Sequence, residues 1–314
     1  MEEKVLSLCF PTYNRGWCMK EQIAHLRQCP KATLDKMEII ISDNCSTDDT
    51  EDIVKAAIAD GFDCVYNKNK ENLGMDGNFV TCFKMAKGKY VWLLGDDDPI
   101  ITESLVKLVD ILSGEKDYGL VHIWSKEKRF SSDELIEYGD KNEFCRRISF
   151  WTTCISSNIV RTRYVPYIDF EKYMGTWFTL MPVYLTAAQE EPCNLIVNFP
   201  IFGASKDFKR NGGYNFFKIF VENYLTIWKE YQAKGLISQD TFDFLKEDIF
   251  KGKVAGSMYT LLVLKKKGNF STDDAWKILR KWYGRNFYYY YYPAFHQTRK
   301  TINRINAKLH KIFK

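Results

Sequence analysis

The apolar run Tyr90-Val91-Trp92-Leu93-Leu94 passes without a break into Gly95-Asp96-Asp97-Asp98. Any fold must therefore bury five consecutive residues and then deliver three carboxylates to one point. The apolar run reads as a strand that carries the acids at its end. Adjacent carboxylates at such a strand's end repel one another in a poorly solvated cleft, so a divalent cation or a bound cationic group is the natural reason to keep all three ionised. Mg²⁺ or Mn²⁺ suits hard oxygen ligands and is usually held by one or two carboxylates plus substrate phosphates. The competing reading is an acidic surface turn opening a helix, because Pro99 and Thr102-Glu103 follow.

The first hundred residues alternate strand and helix signals, which predicts a mostly parallel sheet wound with helices. Strands are expected at Val5 to Phe10, Met37 to Ser42, Phe62 to Asn67 and Tyr90 to Leu94, with helices at Trp17 to Cys29, from Asp48 with Glu51 at capping-box spacing, and up to Ala86. Further strands are read at Leu120 to Trp124, Cys154 to Val160 and Leu195 to Phe199, and part of a helix at Met181 to Ala188. From Tyr214 the pattern turns helical, with Phe217, Phe220, Tyr224, Ile227, Trp228 and Tyr231 on one face, then segments near Thr241 to Lys266 and Thr272 to Tyr283. Gly212-Gly213 marks the expected boundary, giving an α/β part over 1–213 and a helical part over 214–314.

Each early strand ends in a polar loop: Pro11-Thr12-Tyr13-Asn14-Arg15, Asp43-Asn44-Cys45-Ser46-Thr47-Asp48, Glu71-Asn72-Leu73-Gly74-Met75-Asp76-Gly77-Asn78, and Gly95-Asp96-Asp97-Asp98. In an open α/β sheet those carboxyl ends share one edge, where ligands bind. Together they outline a nucleotide pocket, because ribose hydroxyls donate to carboxylates, a base edge is readable by Asp or Asn, and a diphosphate attracts metal and cationic donors. On these loops the chain, over roughly residues 4 to 112, resembles the inverting glycosyltransferases of family 2. The resemblance implies a GT-A fold, a Rossmann-like and mostly parallel sheet flanked by helices, and a nucleotide-diphosphate sugar donor. It implies that Pro11, Thr12 and Tyr13, with Asn14 beside them, lie around base and ribose, that Asp43 contacts the base, and that Asn72, Gly74 and Asn78 close over the nucleoside. Asp96 to Asp98 are similar to the family's Asp-x-Asp motif. Asp96 and Asp97 are then expected at the nucleotide, and Asp98 with Asp96 at an Mn²⁺ or Mg²⁺ ion bridging the diphosphate.

Sugar transfer with inversion also needs a carboxylate to deprotonate the acceptor hydroxyl. The family places that base roughly 70 to 95 residues past the metal motif, often in a Glu-Asp pair, and this sequence departs from the pattern. Asp169 is the first candidate, with Glu171, Glu190, Glu191 and Asp207 as alternatives; exposed turns and a helix end are the competing readings of all five. Lys206-Asp207-Phe208-Lys209-Arg210 carries three cations, and Arg210 is suited to bidentate contact with the diphosphate. Trp177 is a candidate to stack on a sugar ring.

The net charge of +5 hides an asymmetry: ten Lys or Arg and no acid lie between Trp276 and Lys314, leaving about −5 on the remainder. Five tyrosines, Tyr288 to Tyr292, precede a segment whose Ile302, Ile305, Leu309 and Ile312 share a helical face among cations. Basic and aromatic residues of this kind suit an anionic membrane surface, with packing on its own chain or an oligomerisation helix of a homo-oligomer as the rival readings of 284–314. No apolar stretch of spanning length and no secretory signal occur, and the nine cysteines have no metal-site spacing. These features predict a cytoplasmic protein at the inner face of the membrane, acting on a lipid-linked or oligosaccharide acceptor in capsule, O-antigen or related surface-glycan assembly, with no nucleic-acid partner. A metal-dependent nucleotidyltransferase is the rival enzyme, although its Gly-rich basic loop after the first strand is missing here; a non-catalytic nucleotide-sugar-binding module is the rival from another class.

Overall fold

The computed structural model describes residues 4–123, 133–203, 213–266, 268–284, 286–295 and 298. The chain divides into two compact units, Met1–Phe208 and Lys209–Lys314, where the sequence placed the boundary at Gly212-Gly213. In the first unit, strands β1 (Leu6–Thr12), β2 (Met37–Asp43), β3 (Val65–Lys68), β4 (Tyr90–Leu93), β5 (Leu120–Ile123), β6 (Leu135–Tyr138), β7 (Asn158–Arg161) and β8 (Asn194–Val197) make one sheet in the order β3-β2-β1-β4-β7-β5-β8-β6. Pairing is parallel from β3 through β4 and between β5 and β8, while β7 and β6 run against their neighbours. Helices α1 (Gly16–Leu26), α2 (Lys31–Leu34), α3 (Thr50–Ala59), α4 (Gly74–Met85), α5 (Thr102–Leu112), α6 (Lys141–Ile148) and α7 (Met181–Glu190) connect them.

The continuous apolar run is explained by two-sided burial. Tyr90, Trp92 and Leu94 join a core with α1, α3 and α5, whereas Val91 and Leu93 join one with α4, α6 and α7. Every residue from Tyr90 to Leu94 is fully buried. Trp92 reaches partners that burial would otherwise deny it: its indole Nε1 donates to Ser156 O at 2.8 Å. The register sets Thr12 level with Asp43, and Asp43 level with Lys68. Leu93 sits opposite Cys9, so the residues after β4 arrive beside Thr12.

Two elements differ from their sequence reading. The strand expected from Cys154 begins only at Asn158, because Asn158 Nδ2 donates to Thr152 O (3.1 Å) and Cys154 O (2.7 Å) and folds the preceding residues into tight turns. The strand expected from Phe62 begins at Val65, and Phe62 instead packs into the core from the turn after α3. Strand β6 and helix α6 have no counterpart in the sequence reading; β6 has an exposed, weakly alternating pattern.

The second unit is helical. Residues Lys218–Asn223 wind in wide i→i+5 turns into α8 (Tyr224–Ala233), and α9 (Gln239–Ile249) continues through wide turns at Phe250–Val254 and Met258–Val263 around α10 (Ala255–Ser257). The first wide turn shifts the helical phase, so Ile219 and Val221 face inward and Phe220 is only half-buried. After α11 (Ala275–Tyr283) a last helical stretch covers 287–295. Here the tyrosine run splits. Tyr289 and Tyr292 pack on Phe250, with ring centroids 4.8 and 5.9 Å away, whereas Phe287, Tyr291 and Phe295 form an exposed ladder stacked at 5.9 and 6.1 Å.

Close approach of α7 to the sheet depends on Gly119, where an added Cβ would lie 2.2 Å from Ala187 O. Since that neighbour is helix backbone, Gly119→Ala is expected to destabilise the protein by about 1–3 kcal/mol, as overpacking does. Urea unfolding measures this, and an unchanged midpoint would contradict the packing.

Candidate functional site

The carboxyl ends of β1 to β4 meet at one edge, and their loops are cross-linked there. Thr12 Oγ1 donates to Asp96 Oδ2 at 2.8 Å, and Arg15 Nη1 donates to Asp96 Oδ1 at 2.5 Å and lies 3.4 Å from Asp97. Gln22, buried in α1, donates to the backbone carbonyls of Asp96 (3.1 Å) and Asp98 (2.7 Å). Burial pushes the Asp96 carboxyl up, and the Arg15 guanidinium works the other way and keeps the two as an ion pair. Burial likewise opposes the charge on Arg15, but Asp96 and Asp97 hold its pKa above the ordinary value. The cationic partner that the triplet calls for is thus partly supplied by the chain itself.

Asp98 is oriented separately. Ser156 Oγ donates to Asp98 Oδ2 at 2.6 Å and accepts from Gly95 N at 2.9 Å. Gly95 keeps the space open: a Cβ there would lie 3.1 Å from Asp98 Oδ2, 3.3 Å from Asp97 Oδ1 and 3.4 Å from Ser156 Oγ. Oxygens of Asp97 and Asp98 both border that space, and such hard donors suit a divalent cation completed by phosphate oxygens. Asp96, the other expected metal ligand, accepts from Thr12 on one oxygen and from Arg15 on the other. Among the described residues, no three His, Cys, Asp or Glu side chains are arranged to hold a metal by themselves.

The loops expected to face the nucleoside form a lattice of amides. Asp43, fully buried, accepts from Ser46 N and from Tyr66 Oη, both at 2.7 Å, so it orders the loop after β2 from beneath. Burial and then Asp43 push the Tyr66 phenol far up, so that Tyr66 stays a donor. Asn44 Nδ2 donates to Asn72 Oδ1 (2.8 Å) and Gly74 O (3.1 Å), and Asn44 Oδ1 accepts from Leu73 N (2.9 Å). Asn78 accepts from Ser42 Oγ and Asn69 Nδ2 and donates to Ser42 O. Asn14, in the left-handed region at φ 53°, donates its backbone N–H to Ser46 Oγ and accepts from Thr47 N on Oδ1. Pro11 is half-buried at the end of β1, and Tyr13 is exposed at the rim.

The base candidates are dispersed. Glu191 is buried 2.6 Å from Arg163 and 3.7 Å from Arg161, and Arg161 pairs with Tyr90, the first residue of β4. That cluster lies at the opposite edge of the sheet, and Glu190 lines a recess with Arg163, Tyr164 and Tyr167 there. Neither therefore reaches the strand ends, which corrects both expectations. A recess of about 740 Å³ lined by Lys4, Arg27, Lys31 and Glu38 also opens at the strand starts, away from the site. Asp169 and Glu171 are exposed on the segment that climbs from Arg161 toward Trp177. Asp207 and Arg210 lie outside the described residues, as does most of the basic tail.

Arg15, Gln22 and Ser156 had no assigned role in the sequence reading. A cation closing the Pro11–Arg15 loop and a glutamine on the apolar face of α1 are visible signals; Ser156 comes from a distant turn and has none.

The profile described as "Glycosyl transferase family 2" matches residues 7–163. The chain is similar to the abequosyltransferase RfbV of Salmonella typhimurium, at 28% identity over 84% of this chain and 85% of that protein. It is also similar to WfaP of Escherichia coli, a UDP-Glc:alpha-D-GlcNAc-diphosphoundecaprenol beta-1,3-glucosyltransferase, at 29% identity over 57% of this chain and 70% of that one. Among solved structures, S. aureus TarS 1-349 in complex with UDP-GlcNAc superimposes with a TM-score of 0.59 at 19% identity, over 83% of this chain and 77% of the other. That likeness establishes the GT-A fold.

Replacing Arg15 by Met leaves Asp96 buried without its cation, an expected loss of about 1–3 kcal/mol at neutral pH. Without Arg15 the Asp96 carboxyl rises further, so the deficit is full above its folded-state pKa and shrinks as falling pH protonates it. Urea unfolding of Arg15→Met and the parent at pH 7 and pH 4.5 reads this; an equal deficit at both would argue against the ion pair.

Proposed function

The chain belongs to glycosyl transferase family 2, and from that premise we propose that it moves a sugar, with inversion, from a nucleotide-diphosphate donor to a lipid-linked glycan in surface-polysaccharide assembly. The observation that carries this reading is the cross-linking of four strand-end loops at one edge: β1 to β4 through Thr12, Arg15 and Asp96, β1 to β2 through Asn14 and Ser46, and β2 to the loop after β3 through Asn44 and Asn72. Abequosyl and glucosyl transfer by the two similar enzymes, one onto a diphosphoundecaprenol-linked sugar, supports the donor and acceptor classes. UDP-GlcNAc in the similar fold supports the donor.

In the transfer, an acceptor hydroxyl oxygen bonds to the anomeric carbon as the bond from that carbon to the diphosphate oxygen breaks. The nucleoside diphosphate leaves with the bonding pair, and the hydroxyl proton passes to a carboxylate. The amide lattice of Asn44, Asn72 and Asn78 fixes the loop over the nucleoside, and Tyr13 offers an aromatic face. Asp98, with Asp97, would hold Mn²⁺ or Mg²⁺, which supplies Lewis-acid neutralisation of the departing diphosphate. Ser156 orients Asp98, and Arg15 balances Asp96 and Asp97, so that the carboxylates stand ready without mutual repulsion. Asp169 is the proposed base and Glu171 its alternative.

A thermal-shift panel of UDP-, GDP-, CDP- and dTDP-sugars with Mn²⁺ should give selective stabilisation by one donor class, because a ligand of the native state alone raises its stability. Asp98→Ala should weaken that shift and lower transfer roughly hundredfold or more, the scale of losing one transition-state charge contact. Asp169→Asn should keep the shift and lose turnover. No stabilisation by any donor, or full activity in Asp98→Ala, would overturn the reading.

We also propose that the C-terminal tail rests on an anionic bilayer. The exposed Phe287-Tyr291-Phe295 ladder supports an interfacial contact, and the cations from Arg299 onward each add on the order of 1 kcal/mol near an anionic surface. No helix among the described residues is long and apolar enough to cross a membrane. Since Tyr289 and Tyr292 pack internally, the chain should be cut after Phe295, not before the tyrosines. The shortened protein should lose salt-sensitive cosedimentation with phosphatidylglycerol vesicles while still binding donor; retention on such vesicles would count against the tail.

A further inference from the structure

Asp76 stands in the first turn of α4, two residues after Gly74 of the nucleoside loop, and is only 7% exposed. Its Oδ2 accepts from Gly175 N at 2.8 Å and from Trp177 N at 3.3 Å. Its Oδ1 is buried and has no hydrogen-bond partner among the described residues. A buried carboxylate with an unsatisfied oxygen is costly, so its presence at this contact calls for a reason. Burial raises its pKa, and the two N–H groups only partly offset this. The α4 N-terminus favours an anion at this position.

The segment it grips is shaped to present a side chain. Gly175 and Trp177 both have left-handed backbone, at φ 75° and 69°, a conformation a bulky aromatic residue adopts only when its surroundings impose it. On either side the turn is fastened to the core: Thr176 Oγ1 and Thr179 Oγ1 both donate to Tyr173 O, and Tyr173 and Phe178 are buried. The indole is nevertheless 40% exposed, and Met174, Leu73 and Met75 beside it are exposed to a similar degree. Gly77 lets the two segments meet, since a Cβ there would lie 2.7 Å from Leu73 Cβ and 3.8 Å from Met174 Cε. Loop and turn thus share one apolar rim, joined through a single carboxylate.

We propose that Asp76 is a positioning residue that locks the Gly175–Trp177 turn to the nucleoside loop, so that Trp177 presents its ring to the acceptor sugar in register with the bound donor. The inference rests on the transferase reading. An aromatic face against the C–H face of a pyranose is the contact this geometry offers, and it needs a fixed height relative to the anomeric carbon. Asp76 touches neither substrate; it acts through Trp177.

Steady-state transfer and donor thermal shift of Asp76→Ala, which removes the acceptor of both N–H groups, Trp177→Ala and the double variant test this. Each single variant should leave the donor shift and donor KM unchanged and raise acceptor KM roughly five- to tenfold, the scale of one lost aromatic contact. Because both act through one contact, the double variant should be no worse than the worse single one. Unchanged acceptor KM in Asp76→Ala, or losses that multiply, would overturn the coupling. A fall in donor shift with acceptor KM unaltered would make Asp76 part of the donor site instead. Absence of any donor shift in the parent protein would remove the transferase reading, a different failure.

Discussion

The contact between Arg15 and Asp96 is the one on which the rest of the site depends. It joins the loop after β1 to the loop after β4, two neighbouring parallel strands whose register already brings Thr12 and Asp96 level. A carboxylate as buried as Asp96 is tolerable only with a cation and a donor in contact, and Arg15 and Thr12 are those partners. Gln22 then holds the two carbonyls on either side of Asp97, so the turn cannot relax outward. The strand's apolar run and the acidic triplet are in this sense one feature, since burial of the first creates the charge problem of the second.

That arrangement changes how the triplet should be understood. Three adjacent acids invite the inference that a metal must neutralise all of them, yet the first is neutralised by the protein. Division of labour follows: Asp96 ties the loops together, Asp98 is aimed by Ser156, and Asp97 lies between them within reach of Arg15. A cation bound between Asp97 and Asp98 would meet a site whose net negative charge is already reduced. Such a site holds an ion best when phosphate oxygens complete the shell, which couples ion affinity to donor binding.

The gathering of the four strand-end loops was legible in the sequence because strands fix it. The expected strand ends Phe10, Ser42, Asn67 and Leu94 lie within two residues of the observed Thr12, Asp43, Lys68 and Leu93, and loops that begin in register fall together by topology. Arg15 and Gln22 left weaker traces, a lone cation and a polar residue on an apolar helix face. Ser156 left none, because it reaches Asp98 across 58 residues from an antiparallel element that no local pattern announces. Glu190 and Glu191 show the converse: paired acids at a plausible distance along the chain proved to be at the wrong edge, held by Arg161 and Arg163. In the helical unit, wide turns displaced Phe220 from the face its spacing assigned, a phase shift invisible to a 3.6-residue period.

The acceptor side follows a different physical logic. Residues 162–177 form no strand and no long helix; tight turns carry them up the flank of α4, and their height is set where Asp76 accepts two N–H groups. A segment suspended in this way can change its presented side chains without disturbing the sheet register that places the donor. On the proposed reading, donor geometry and acceptor geometry are therefore governed by separate sets of interactions that meet at α4, so that substitutions at 174–177 would alter which sugar is received while the strand-end loops continue to hold the same donor.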